Sequence, residues 1–177
     1  MIQTTESIDF GRLITGHSPF SVPKYQRAYA WDEDEVTEYL DDMERLYRDR
    51  VNSSENRMPH FFGGLVSVRR FASGTPHGYI HDVVDGQQRL ATFMITICAI
   101  LEGLKIIEQK ATASGDAGAT DDAKIEREKT ETNYFFYLEG VGRQTQKRLR
   151  LSLSKADNKY FEDLMRNIGD ARTKKNL

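Results

Sequence analysis

Asp82-Val83-Val84-Asp85-Gly86-Gln87-Gln88-Arg89-Leu90 is the stretch on which the fold turns. β-Branched residues favour a pleated strand, and Asp85-Gly86 is strong turn chemistry. From Gln87 onward, Leu90, Phe93, Met94, Ile97, Ile100, Leu101, Leu104 and Ile107 recur at helical spacing. That spacing predicts a strand ending at the glycine and a long helix running to about Lys110, its broad apolar face buried on at least one side. A helix start presents unpaired backbone N–H groups and the positive end of the helix dipole, and both suit an anion. Gly86 lets the backbone approach a phosphate closely. Arg89 lies in the first turn and can form paired hydrogen bonds to phosphate oxygens. Gln87 and Gln88 can donate to a phosphate or orient a water. Asp85 can hold Mg²⁺, which takes a few carboxylates together with substrate oxygens, or it can align an attacking water. Together these parts suffice for phosphoryl transfer to water, where positioning and charge stabilisation dominate. A strand-Asp-Gly-helix turn alone is usually only a turn. Two glutamines and an arginine make this one more polar than turning requires.

Upstream of the turn, residues 79–84 and 61–68 read as the two strands of a hairpin, joined through the turn residues 72–78. The earlier of them, Phe61-Phe62-Gly63-Gly64-Leu65-Val66-Ser67-Val68, reads as a buried strand. Residues 50–60 are polar and loop-like. A helix is predicted from an Asp32 N-cap to about Asp49, with Glu35 at the capping-box position and Val36, Tyr39, Leu40, Met43, Leu46 and Tyr47 on one face. Before it lies Tyr25-Gln26-Arg27-Ala28-Tyr29-Ala30-Trp31, dense in aromatic and polar groups. Gln26 and Arg27 between aromatics can read a base or a phosphate. The bland alternative is an aromatic cluster of Tyr25, Tyr29 and Trp31 with Arg27 stacked upon it. Phe20-Ser21-Val22-Pro23 reads as a short edge strand, because Pro23 cannot donate to a ladder. Residues 6–15 read as a short amphipathic helix, capped by Ser7 and ended by Gly16.

Downstream, residues 111–122 are low in bulk and read as mobile, and the charged stretch 123–132 extends a helix on the surface. Tyr134 to Leu138 is ambiguous between strand and helix. Arg148-Leu149-Arg150-Leu151-Ser152-Leu153 alternates strictly and reads as a strand. A final helix, capped by Ser154 or Asp157, runs to about Ile168 with Tyr160, Phe161, Leu164 and Met165 facing inward.

The 177 residues are enough for one domain with its own core. Hydrophobic residues make up 38% and charged residues 29%, and the formal charge is −2. A pI of about 6.1 is not that of a dedicated nucleic-acid binder. DNA would therefore have to meet a local patch or another domain. Cys98 is the one cysteine, which excludes an internal disulfide and fits a reducing compartment. No stretch reads as apolar enough, for long enough, to span a bilayer, and Met1 to Glu6 lacks a signal pattern. The expectation is a cytoplasmic protein with no membrane partner.

Val22 to Trp31, then Phe61 to Val66, then Val84-Asp85-Gly86-Gln87-Gln88-Arg89-Leu90-Ala91-Thr92 resemble the N-terminal domain of the GmrSD type IV restriction family. Arg148 to Leu151, followed by Asp157 and Tyr160-Phe161, is similar to that family's later strand and helix. The resemblance covers almost the whole chain in the right order. It implies an α/β (α+β) fold of the ParB/sulfiredoxin-like type, a small mixed sheet with flanking helices. It implies binding and hydrolysis of GTP or another nucleoside triphosphate, with Mg²⁺ as cofactor. It also implies restriction of phage DNA carrying modified bases and a C-terminal HNH-type nuclease domain in the full-length protein; a homo-oligomer is a separate expectation that the resemblance does not carry. The SspE-like proteins, which respond to phosphorothioate-modified DNA, are similar too. The resemblance carries Asp85, Gly86, Gln87, Gln88 and Arg89 over as the nucleotide site; the metal role of Asp85 comes from its carboxylate chemistry alone. It carries Tyr25, Gln26 and Arg27 over as a second strip, for nucleotide or modified-DNA sensing. Ala28 and Ala91 depart from the proline and threonine often found there, and both changes leave the polar groups intact. No His-Asn-His pattern follows residue 160, so the sequence reads as the N-terminal piece of a longer protein, one ParB-like domain over 1–177.

Two rival functions stay open. One is a non-catalytic module that senses modified DNA such as phosphorothioate DNA. The other is a nuclease in its own right, disfavoured by the missing carboxylate cluster. Arg143, Lys147, Arg148 and Arg150, joined by Arg172, Lys174 and Lys175, form a basic cluster that reads either as a solvated surface or as a phosphate-tracking face. His17, His60, His77 and His81 lack metal-ligand spacing.

Overall fold

The computed structural model describes residues 5–16, 18–52, 60–140, 145–155 and 157–166. Helix α1 (Phe10–Gly16) starts later than the sequence predicts, with the Leu13 amide closing its first turn on the Asp9 carbonyl, and Gly16 is its last residue. Strand β1 (Phe20–Ser21) follows, then helix α2 (Glu33–Asn52), strand β2 (Val66–Phe71) and strand β3 (Tyr79–Asp85). Helix α3 (Gln87–Ser114) and helix α4 (Ala117–Thr130) come next. A single π turn (Glu131–Phe135), strands β4 (Phe136–Glu139), β5 (Gln146–Leu149) and β6 (Leu151–Ser152), and helix α5 (Asn158–Arg166) complete the order.

The main sheet has the order β2-β3-β1-β6. β1 runs parallel to both of its neighbours, whereas β2 and β3 form the predicted antiparallel hairpin. The fold is therefore α+β with a small mixed sheet and flanking helices, as expected. The edge-strand reading of Phe20 to Pro23 is corrected: β1 is an inner strand. It is only two residues long, so Pro23 falls beyond the ladder, where no donor is needed. Phe20 and Val22 donate instead to the Arg150 and Ser152 carbonyls at 2.7 and 2.8 Å.

One face of this sheet forms the core. Phe20 sits opposite His81 and Leu151, and Val83, two residues on from His81, shares its face. Against these pack Leu90, Phe93, Met94, Cys98 and Leu101 of α3, Ile14 of α1, Phe135, and Phe161 and Met165 of α5. Each such side chain contributes about 1.5–3 kcal/mol by leaving water. The expectation that no stretch is apolar enough to span a bilayer is corrected: by length and composition α3 passes that test, while Leu90, Phe93, Met94 and Leu101 on one side lie in the core and Ile100, Ile106 and Ile107 are exposed.

Three further expectations are corrected. Residues 111–122 are helical rather than a loop: α3 continues to Ser114, and Gly115 in the left-handed region (φ 75°) returns its N–H to Ala111 and Thr112. Asp116 then caps α4 by accepting from the Ala119 amide at 3.0 Å, and the helical hairpin is pinned by Arg127 Nε on Glu108 at 2.9 Å. The alternating stretch 148–153 is two strands rather than one. At Arg150 the chain leaves the two-stranded β4–β5 sheet and joins the main one, while Arg150 N bonds the Phe135 carbonyl at 2.7 Å. Finally, residues 61–65 are not strand, for a reason that belongs to the site. The predicted end of the last helix near Ile168 lies outside the described residues.

Candidate nucleotide site

Gly86 occupies the N-cap position of α3 with φ 88° and ψ 8°, a conformation that side-chain-bearing residues rarely adopt. A Cβ there would also stand 2.9 Å from the Gly64 carbonyl oxygen. That carbonyl belongs to a second glycine pair folded around the turn. Gly63 has φ +95°, and a Cβ on it would lie 2.7 Å from Arg89 Cζ. Arg89 Nη1 donates to the Gly64 carbonyl at 2.7 Å. Gly63, Gly64, Gly86 and Arg89 thus form one knot, and the left-handed bend it needs is why 61–65 leaves the strand conformation. β2 begins only at Val66, and apart from half-buried Ser67 it is exposed rather than buried. Among the described residues Arg89 makes no ion pair, and its other guanidinium nitrogens make no hydrogen bond.

The two glutamines turn away from the helix start toward the aromatic strip. Gln88, 7% exposed, accepts from the Ala30 amide at 2.9 Å and donates to the Ala28 carbonyl at 3.2 Å. Its side-chain amide substitutes for a neighbouring strand. Gln87 Nε2 donates to the Arg27 carbonyl at 3.2 Å. Gln26 Nε2 returns the favour, bonding the Val84 carbonyl at 3.0 Å. The structure therefore brings the two sequence-predicted strips into contact. The aromatic-cluster alternative holds only in part. Trp31 packs on Tyr39 with ring centroids 6.1 Å apart, whereas Tyr25 is 78% exposed.

Two residues that complete this arrangement escaped the sequence reading. Thr92 Oγ1 donates to the Gln88 carbonyl and therefore accepts from the Tyr29 hydroxyl at 2.8 Å. Asp157, read as a cap and as part of the family's later helix but given no role at the site, accepts from the Tyr29 amide at 2.7 Å across 128 residues of sequence. For Thr92 a signal existed: Gln88, Thr92 and Thr96 recur every four residues and make a polar stripe on an otherwise apolar helix. For Asp157 none did. Between strip, turn and α5 remains a cavity of about 10 Å³ lined by Arg27, Tyr29, Gln87, Gln88 and Asp157, room for about one water. Open surface lies outside it: Asp85, Arg27 and Tyr25 are all exposed, and the first turn of α3 has no side-chain cap.

The weaker signals settle into structural roles. Lys147 pairs with Glu131 at 2.7 Å and Arg148 with Glu139 at 2.8 Å. Arg150 gives Nη1 to the Ile14 carbonyl at 3.2 Å, and burial lowers its pKa. Arg143, Arg172, Lys174, Lys175 and His17 lie outside the described residues. His81 stacks on Phe20 and bonds Ser67 Oγ at 3.1 Å. His60 pairs with Asp42 at 2.9 Å, and His77 sits exposed in the hairpin turn with φ 61°. Among the described residues no cluster of three or more His, Cys, Asp or Glu could hold a metal ion.

No individual curated protein matches the chain. Residues 10–177 do match the family described as GmrSD restriction endonuclease, N-terminal domain, and because the match spans the glycine knot, both polar strips and the closing helix, the chain belongs to that family.

Proposed function

We propose that this domain binds and hydrolyses a nucleoside triphosphate, with GTP the first candidate, and thereby controls DNA cleavage by a separate nuclease domain in a cytoplasmic, anti-phage restriction protein. One observation carries the reading. A 28-residue helix begins at a glycine in the left-handed region, without a side-chain cap, beside an exposed aspartate and an exposed arginine. The first-turn amides and the helix dipole suit a phosphate. Arg27 and the unbonded nitrogens of Arg89 supply positive charge; Gly86 itself is buried under Gly64 and Leu65, so a phosphate would meet the turn from the Asp85 and Arg27 side. Asp85 at the strand end fits as the single protein carboxylate for Mg²⁺ entering with the triphosphate, since that ion keeps substrate oxygens and water in its shell. Once bound, the ion would neutralise phosphate charge. Gln87 can turn from the Arg27 carbonyl to orient the attacking water. The small cavity between the strips holds no triphosphate, so the nucleotide lies on the outer side of the turn, between Asp85 and the Tyr25–Arg27 edge.

The test is phosphate release from GTP and ATP by the wild type, Arg89→Ala and Asp85→Ala. Loss in both variants supports the proposal, and equal rates in all three refute it. A modified-DNA sensing role is favoured by one feature, the 78% exposed ring of Tyr25 next to exposed Arg27, which offers a stacking surface beside a phosphate-binding charge. Binding of phosphorothioate and unmodified duplexes by wild type and Tyr25→Ala tests it: a preference that Tyr25→Ala abolishes supports this role, and equal binding refutes it.

A further inference from the structure

Asp157 stands where an N-cap residue would stand. The Phe161 amide bonds its carbonyl at 2.9 Å, opening α5. An aspartate there ordinarily turns its carboxylate onto the amides of its own helix. Here Oδ2 reaches instead to the Tyr29 amide at 2.7 Å, a short, charge-assisted bond. In an extended chain the N–H groups of successive residues point to opposite sides. Accordingly the Ala28 carbonyl and Ala30 amide meet Gln88 of α3, and the Tyr29 amide between them meets Asp157 of α5. The strip is held as an inner strand would be, except that both neighbours are side chains. α5 in turn is anchored by Phe161 and Met165, 2% and 1% exposed.

We infer that Asp157 is a positioning residue: its carboxylate fixes the Tyr29 amide from the side opposite Gln88, so the start of α5 sets where Arg27 stands against the α3 turn. No charge on Asp157 is needed for this, only an acceptor at that place.

The experiment uses wild type, Asp157→Ala and Asp157→Asn of the whole chain. Amide hydrogen exchange is read at Tyr29, and acrylamide quenching is read at Trp31, the one tryptophan. Asp157→Ala is expected to speed exchange at Tyr29 by about tenfold or more and to raise quenching, whereas Asp157→Asn, whose Oδ1 still accepts, stays within about threefold of wild type. Unchanged exchange in Asp157→Ala, or an Asp157→Asn as impaired as the alanine variant, overturns the inference. Should Asp157→Ala fail to fold, the wild type alone decides: a Tyr29 amide exchanging at the unprotected rate overturns the inference, and a protected one sustains it. The consequence for turnover rests on the function proposed above. There Asp157→Ala should raise KM for GTP about tenfold and leave kcat nearly unchanged, and Asp157→Asn should restore KM. A wild type without turnover defeats that function and leaves the amide measurements to judge Asp157.

Discussion

Replacing Gln88 by glutamate changes one atom type in a nearly buried side chain and tests whether its amide really stands in for a strand. The acceptor to Ala30 N, now 2.9 Å, survives in Gln88→Glu. The donor to the Ala28 carbonyl becomes an oxygen facing an oxygen at 3.2 Å. Losing a neutral hydrogen bond costs about 1 kcal/mol, and holding a carboxylate in a site 7% exposed adds a desolvation cost that the group limits by taking up a proton. A pKa raised from about 4.3 to about 6 corresponds to roughly 2 kcal/mol at neutral pH, so the total is about 2–4 kcal/mol. In urea that moves the midpoint by about 1–2 M, for a slope near 2 kcal/mol per M. Because the folded pKa lies above the unfolded one, the protonated form is favoured by folding. The deficit relative to wild type is therefore small below about pH 4 and grows as pH rises through the folded pKa. Trp31 emission, followed through urea titrations of both proteins at pH 7 and pH 4, measures it. A variant that unfolds with wild type at pH 7, or whose deficit is undiminished at pH 4, refutes the strand-surrogate reading.

Gly63→Ala should lower Tm by about 3–8 °C, since the new Cβ meets Arg89 Cζ at 2.7 Å in a left-handed backbone; calorimetry showing no loss would mean the knot is loose. Cys98, whose thiol burial pushes up to about 12, should react with a thiol-specific disulfide reagent at pH 8 at least about a hundredfold more slowly in the native protein than in urea. Burial likewise pushes the Tyr39 hydroxyl up to about 12. Its neutral form is favoured by folding, so that stability is present below pH 10 and lost as pH rises toward 12. Tyr39→Phe should flatten that alkaline fall in urea titrations at pH 9 to 11.5. Gln87→Ala should lower GTP turnover by about tenfold or more while changing the unfolding free energy by less than about 0.5 kcal/mol, read by phosphate release and urea titration on one preparation.

Where neighbours in sequence carry the physics, the sequence was legible. Asp82 to Leu90 predicted the strand, the corner and the helix start because β-branching, a turn pair and a 3.6-residue repeat are local properties. Asp32 and Glu35 predicted a capping box, and the Asp32 amide does bond Glu35 Oε2 at 3.0 Å. Legibility failed where the deciding partner was remote. Phe61 to Leu65 has strand composition, yet Arg89 bends it. Residues 111–122 lack bulk, yet an αL glycine followed by a capping aspartate turns one helix into the next. Asp157 has every mark of a cap, and only the fold brings Tyr29 to it. In the candidate site the identities Gln87, Gln88 and Arg89 were visible, but their direction was not, because a glutamine that serves a ligand and one that serves a backbone look alike in sequence.

That direction divides the pair. Gln88 is buried, makes two backbone bonds and supports Thr92 through its own carbonyl, so removing it takes a partner from a donor and an acceptor together, at about 1 kcal/mol each. Gln87 is only half-buried and makes one 3.2 Å bond at an exposed carbonyl. Water replaces that bond at a cost well under 1 kcal/mol. Of two adjacent residues of the same type, one is therefore free to follow a phosphate or a water and the other is not. Arg89 falls between them: Nη1 is committed to Gly64, and the rest of the fork is open. On the proposed function, a ligand at the helix start would find its adjustable side chains in Gln87 and Arg27, set on a frame held by Gln88, Gly63 and Arg89 Nη1. Preorganisation of this kind, with the fixed part doing the folding and the adjustable part facing solvent, is what a phosphate site requires.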